Sequence, residues 1–335
     1  MHFHQWNRRE FITLLGGAAV AWPLTVRAQQ VSGVRRVGML MDTTDDNAEG
    51  QVRIAAFQQQ LKELGWVEGR NLQIDVRWSG GRIDHSRSYA AELVGLTPDA
   101  LFAYSNAALR PLSQATRSIP IVFVGASAPV EDGYVASFAH PGGNITGFTQ
   151  YDPAMAGKWL TMLKDISPAI ARVALLVNPD TAPLRGTFYL REFERAAASL
   201  AVEAITSFVH DEREIESSLA ALGQQSNNAL IVAPEAFTTA NRELLIALAA
   251  RHRLPATYGL RQFPVSGGLL SYGPDTVDIV RRAATYIDRV LRGEKLGELP
   301  VQQPTKFEMV VNLKTARALQ ARIAAFRTGG SDSIL

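Results

Sequence analysis

Arg36-Val37-Gly38-Met39-Leu40-Met41 is a short apolar run, and after it the hydrophobic period changes: Ile54, Phe57, Leu61 and Leu64 recur at helical spacing until Gly65. A buried strand followed by an amphipathic helix is the building unit of parallel α/β sheets. The unit recurs down the first half of the chain. Leu72-Gln73-Ile74-Asp75-Val76-Arg77-Trp78 alternates as a second strand, and a helix over about 86–96 leads to Ala100-Leu101-Phe102-Ala103-Tyr104. Another helix, over about 107–117, leads to Ile121-Val122-Phe123-Val124. Four strands alternating with helices predict an open parallel sheet covered by helices on both faces.

A Gly/Pro-rich passage, His140-Pro141-Gly142-Gly143-Asn144, interrupts the pattern, which then restarts. Val173–Val177, Ile205–Val209, Ala229–Ala233 and Pro255–Tyr258 read as strands. Between them run helices carrying Leu190, Phe193, Ala197 and Leu200, then Ile215, Leu219 and Leu222, then Leu245 and Leu248. The topology repeats without a repeat of the residues, so the fold class is α/β with two open parallel-sheet lobes. The tail adds a strand at Gly268–Tyr272, a helix striped by Val277, Val280, Ala284, Ile287 and Leu291, a strand at Phe307–Val311 and a short helix from Lys314. That is too little for a third domain and predicts pieces returning to both lobes, joined by a three-segment hinge. The first lobe is expected to comprise 33–145 and 266–297, the second 146–265 and 298–325, with 326–335 a disordered tail carrying no function.

The N-terminus sets the compartment. Asn7-Arg8-Arg9-Glu10-Phe11-Ile12-Thr13 is a twin-arginine pair before an apolar stretch, Leu14 to Leu24, and Val26-Arg27-Ala28 offers a small-x-small cut site. This predicts a signal peptide over 1–28 of the Tat type, and export to the periplasm, with Sec export the alternative. The apolar stretch falls short of the roughly 20 residues a bilayer span needs. Losing 1–28 removes three basic residues and one acidic residue from a chain of net charge +2, leaving it formally neutral. A neutral chain offers no electrostatic footprint for nucleic acid or anionic lipid. There is no cysteine, which excludes disulfides, thiolate metal sites, cysteine nucleophiles and a lipid-anchored N-terminus together.

Several longer blocks carry a family likeness: Arg8-Arg9-Glu10-Phe11-Ile12-Thr13-Leu14-Leu15-Gly16-Gly17, Glu63-Leu64-Gly65-Trp66-Val67-Glu68-Gly69-Arg70-Asn71 and Ile119-Pro120-Ile121-Val122-Phe123. Pro141-Gly142-Gly143-Asn144-Ile145-Thr146-Gly147-Phe148, Ala249-Ala250-Arg251-His252-Arg253-Leu254-Pro255 and Pro304-Thr305-Lys306-Phe307-Glu308 continue it. Over about residues 8–320 the chain resembles the ABC transporter substrate-binding family whose better-known members handle tryptophan or tyrosine. The resemblance implies the type I periplasmic-binding fold, a venus-flytrap arrangement whose chain passes between lobes three times, and transport partners: an ABC permease and its ATPase. It also makes an amino acid or related small carboxylate, possibly aromatic, the leading ligand. The chain is expected to act as a monomer, not embedded in the membrane. The alternative is a periplasmic sensor that feeds a separate signalling receptor.

Ligands of open parallel sheets bind beyond the carboxyl ends of the strands. That rule selects Asp42, Thr43, Ser105, Asn106, Ala126 and Ser127 in the first lobe and Asn178, Pro179, Pro234, Glu235 and Tyr258 in the second. Gly147 and Phe148 join them at the first crossing, Tyr272 and Gly273 after a later strand. Ser105, Asn106 and Asn178 serve equally well as helix caps, and Tyr104 could face either the ligand or the core. Free N–H groups at helix starts suit a carboxylate, and aromatic rings suit an apolar ligand body.

Catalysis finds no support. His85, His140, His210 and His252 have no metal-ligand spacing, so no metal or cofactor is expected. No phosphate-binding glycine loop and no G-x-S-x-G elbow occurs. The chain reads as a binder rather than an enzyme.

Overall fold

The computed structural model describes residues 33–321 and the backbone of 333–334. The leader expected at 1–28 lies outside the described residues, as does most of the tail. In the first sheet β1 (Arg35–Met41), β2 (Leu72–Trp78), β3 (Ala100–Tyr104), β4 (Ile121–Val124) and β5 (Ile145–Phe148) run parallel in the order β2-β1-β3-β4-β5. The helices α1 (Ala48–Glu63), α2 (Ile83–Gly95) and α3 (Asn106–Ala115) connect them. Side-chain alternation loads both faces. Leu101 and Ala103 pack into one cluster with Leu93, Leu109 and Leu112, whereas Phe102 points the other way and meets Phe57 of α1 at 5.1 Å between rings.

The second sheet runs β12-β11-β10-β9-β8-β6-β7, with β10 (Leu270–Pro274), β11 (Phe307–Val311) and β12 (Ser333–Ile334) at one end. Its parallel centre is β6 (Arg172–Val177), β7 (Glu203–Phe208), β8 (Asn228–Val232) and β9 (Ala256–Tyr258). It is served by α4 (Met155–Ile166), α5 (Leu190–Ser199), α6 (Glu212–Leu222), α7 (Ala236–Ala240), α8 (Arg242–Arg251) and α9 (Gln262–Val265). Val173, Leu175 and Val177 pack on one face, and Ala174 and Leu176 on the other. Trp159 of α4 is fully buried, lies edge-on to Tyr189 at 5.3 Å and donates its indole N–H to the Tyr272 carbonyl at 2.8 Å. Trp159→Phe removes that bond and part of the ring, and is expected to lower stability by about 1–2 kcal/mol; a thermal melt against the parent protein measures it.

The returning tail divides differently from the sequence expectation. β10 (Leu270–Pro274) pairs in parallel with β9, Leu270 opposite Thr257, so it extends the second sheet instead of joining the first lobe with the rest of 266–297. α10 (Thr276–Leu291) does go back, burying Ile279, Val280, Ala283, Ala284 and Ile287 against α1 and the first sheet. The chain stays there through Val301, which joins the first-lobe core and donates its N–H to Phe138 at 2.7 Å, so the boundary expected after 297 falls later. β11 (Phe307–Val311) then pairs antiparallel to β10, followed by α11 (Leu313–Ala318). β5 pairs with β4, so the first crossing lies after Phe148 and not before Thr146. Within the stretch expected to be a disordered tail, the backbone of β12 (Ser333–Ile334) pairs with Val310 and Val311 along the edge of β11.

The three crossing segments are tied side by side. Thr149 donates its N–H to Gln302 at 2.8 Å, Gln302 donates to Gly147 at 2.9 Å, and Asp275 donates to Lys306 at 3.0 Å. Few backbone bonds for three strands make a hinge that can bend without unfolding either sheet. Among the described residues no helix is long and apolar enough to cross a membrane.

Candidate functional site

The carboxyl ends of strands from both sheets meet around one cavity of about 30 Å³. From the first lobe come Asp42 and Thr43 after β1, Ser105 and Asn106 after β3, and Gly125 and Ser127 after β4. Gln150 and Tyr151 come from the first crossing, and Thr181, Pro183, Pro234, Glu235 and Leu260 from the second lobe. A space of that size holds ordered water but not a larger guest with the lobes as they stand.

Local structure aims these groups. Ser105 sits at the N-cap of α3 with φ 79° and ψ 168°, a conformation that costs a non-glycine residue on the order of 1–3 kcal/mol. Its hydroxyl makes no cap bond, so the first-turn N–H groups of α3 have no side-chain cap on the cavity side. Gly125, at φ +87°, lets the chain pass: a Cβ there would lie 2.7 Å from the Gln150 amide oxygen. In the second lobe the Asn178 carboxamide accepts from the N–H groups of Asp180 at 2.8 Å and Thr181 at 3.3 Å. The Thr181 hydroxyl so placed donates to the Glu235 carboxylate. Glu235 also caps α7, accepting from Phe237 at 2.7 Å and Thr238 at 3.0 Å.

One buried cation faces these acids. Arg53 of α1 is 4% exposed, donates its Nε–H to the Thr276 hydroxyl at 3.2 Å and stacks over the Tyr104 ring at 4.8 Å. Burial pushes the Asp42 carboxyl up to about 6, against the lowering pull of the Arg53 charge and the neighbouring Ser105 hydroxyl. Burial likewise pushes Glu235 up to about 7, despite the donors from Thr181, Phe237 and Thr238. Asp42 Oδ1, Thr43 Oγ1, Ser105 Oγ and Asn106 Oδ1 are buried with no hydrogen-bond partner among the described residues. Buried polar groups are ordinarily paired, so four orphans around one cavity mark a surface built for a polar guest. Among the described residues no cluster of histidine or acidic side chains could hold a metal ion.

Of the residues expected from sequence, Asp42, Thr43, Ser105, Asn106, Ser127, Pro234 and Glu235 are brought together here. Asn178 acts one step back, through Thr181, and Pro179 lies beside it without lining the cavity. Ala126 is buried in the first-lobe core. Phe148 packs on Tyr286 at 4.8 Å, Tyr258 stacks on Phe263 at 4.4 Å inside the second lobe, and Tyr272 stacks on Phe307 at 5.8 Å. The two glycines are packing devices. A Cβ on Gly147 would lie 2.0 Å from the Phe123 carbonyl oxygen, and one on Gly273 would lie 1.9 Å from that of Gly259. Arg53, Gln150, Tyr151 and Thr181 escaped the strand-end rule. Arg53 is mid-helix, and its only sequence signal is a charge on the helix face that carries Phe57 and Leu61.

This two-lobed α/β arrangement with a lined cleft is the type I periplasmic-binding fold. The chain belongs to the ABC transporter substrate binding protein family, whose model matches residues 51–325. Its relatives include the tyrosine-binding protein of Clostridioides difficile, 23% identical over 78% of this chain and 75% of that one. Among solved structures, a conserved domain protein from Vibrio cholerae superposes with a TM-score of 0.82 at 22% identity, covering 90% of this chain and 99% of that one. An ABC domain in complex with L-Trp from Streptococcus pneumonia gives 0.82 at 20% identity, covering 90% and 100%. The family is one of substrate-binding proteins.

Proposed function

We propose that the protein, exported by its twin-arginine leader, captures an α-amino acid with an aromatic side chain between its lobes in the periplasm. It then delivers that ligand, as a monomer, to an ABC permease driven by its ATPase. The observation that carries the reading is the mixed charge of one small cavity: Asp42 and Arg53 from the first lobe, Glu235 from the second. An α-ammonium satisfies the buried carboxyls. An α-carboxylate satisfies Arg53 and the first-turn N–H groups of α3, where the helix dipole adds to the attraction. Because the partners come from both lobes, the ligand holds the cleft shut, and the shut form is what a permease can distinguish. The tyrosine- and L-Trp-binding relatives support an aromatic side chain.

The test is a thermal-shift screen of the mature protein against L-tryptophan, L-tyrosine and L-phenylalanine, each beside its deaminated and decarboxylated counterpart. A ligand at 100 times its Kd stabilises the folded state by about 2.7 kcal/mol. The amino acids should raise Tm and the counterparts should not. No shift with any amino acid, or equal shifts with the deaminated acids, would overturn the reading.

A further inference from the structure

The cleft does not end at the central cavity. Arg53 and Leu260 also form the inner wall of a neighbouring chamber of about 300 Å³, whose other walls include Val52, Pro274, Val277 and Gln262. This chamber shares those two residues with the central cavity, and most of its lining surface is apolar although Glu49, Thr276 and Glu308 also border it. Its rim cation is already matched, since Arg261 pairs with Glu308 at 2.8 Å. Gln262 is different. It is 1% exposed, and neither its Oε1 nor its Nε2 has a hydrogen-bond partner among the described residues. A buried amide with both ends unpaired pays for desolvation twice and gains nothing from the protein in return.

We propose that this chamber holds the side chain of the ligand and that Gln262 reads a hydroxyl at the far end of an aromatic ring. The proposal rests on the amino-acid reading and adds the side-chain chemistry to it. A phenolic O–H is at once a donor and an acceptor, so it can donate to Oε1 or accept from Nε2 of the same amide. An indole N–H meets only the carbonyl oxygen, and a phenyl ring meets neither. The apolar walls take the ring face in each case, so the amide alone sets the preference. A site built to hydrogen-bond a substrate hydroxyl rejects the analogue that lacks it, because the buried amide then stays unpaired.

The experiment is calorimetric titration of the full mature protein and of Gln262→Leu with L-tyrosine and L-phenylalanine. The parent should prefer tyrosine. Gln262→Leu should bind tyrosine roughly tenfold more weakly and leave phenylalanine unchanged or improved. Gln262→Met, closer in shape, repeats the measurement should the leucine variant misfold. A parent that binds both amino acids, with its tyrosine preference unchanged in the variants, overturns this assignment alone. A parent that binds neither but responds to L-tryptophan in the thermal-shift screen overturns this assignment alone, and one that binds none of the three overturns the amino-acid reading with it.

Discussion

Asp42→Asn is expected to weaken binding of the amino-acid ligand by roughly 100-fold or more, because it leaves a desolvated ammonium opposite a neutral amide. The substitution keeps size and shape, so the cavity lining of Thr43, Ser105 and Asn106 stays in place. It also removes a carboxylate that the free protein buries at a cost, so the fold should not suffer. Affinity loss with an unchanged or higher Tm in the free state is therefore the signature. Titration calorimetry gives the first quantity and a melt without ligand the second. An affinity within threefold of the parent would show that Asp42 does not face the ligand's ammonium.

The free protein should lose stability as pH rises from about 4 to 8, opposite to the usual behaviour of paired surface carboxylates. The sign follows from the two buried acids. Asp42 stands at about 6 in the fold against 3.8 unfolded, and Glu235 at about 7 against 4.5. A carboxyl held higher in the folded state contributes its full stability below the unfolded value. That contribution drains away as pH climbs, and the loss is complete above the folded value. At 1.36 kcal/mol per unit, each acid is worth on the order of 3 kcal/mol across the window. Glu308 and Asp132, also raised by burial, act in the same direction. Urea melts at pH 4.5, 6 and 8 measure the slope, and Asp42→Asn and Glu235→Gln should each remove part of it. Saturating ligand should flatten it too, because an ammonium between the carboxyls restores their charged forms, with proton release on binding near pH 6. A slope that neither variant changes would mean that other groups carry it.

The order of strands and helices was legible because it rests on local periodicity. Val173–Val177 alternates between two buried faces, and α10 shows its apolar stripe, whatever lies around them. The strand-end rule likewise put Asp42, Ser105 and Glu235 at the strand ends where the cavity lies, since in an open parallel sheet those loops have only one edge to occupy. The rule failed where a residue's direction depends on a neighbour far along the chain. Tyr258 follows a strand as Glu235 does, yet Phe263 stacks on it and keeps it inside the lobe.

By itself, then, the sequence determined two α/β lobes, a chain that returns to them, and a cleft where strands end. Only the tertiary structure decided that β10 stays in the second sheet, that Gly147 and Gly273 serve close backbone approach, and that Arg53 lines the cavity while Gln262 borders the chamber beside it. The reason is one of range. Secondary structure is set by neighbours three or four residues away, which the sequence displays. The charge, size and unpaired amide of a cleft between lobes are set by residues brought together from positions as distant as Asp42 and Gln262, which no local pattern records.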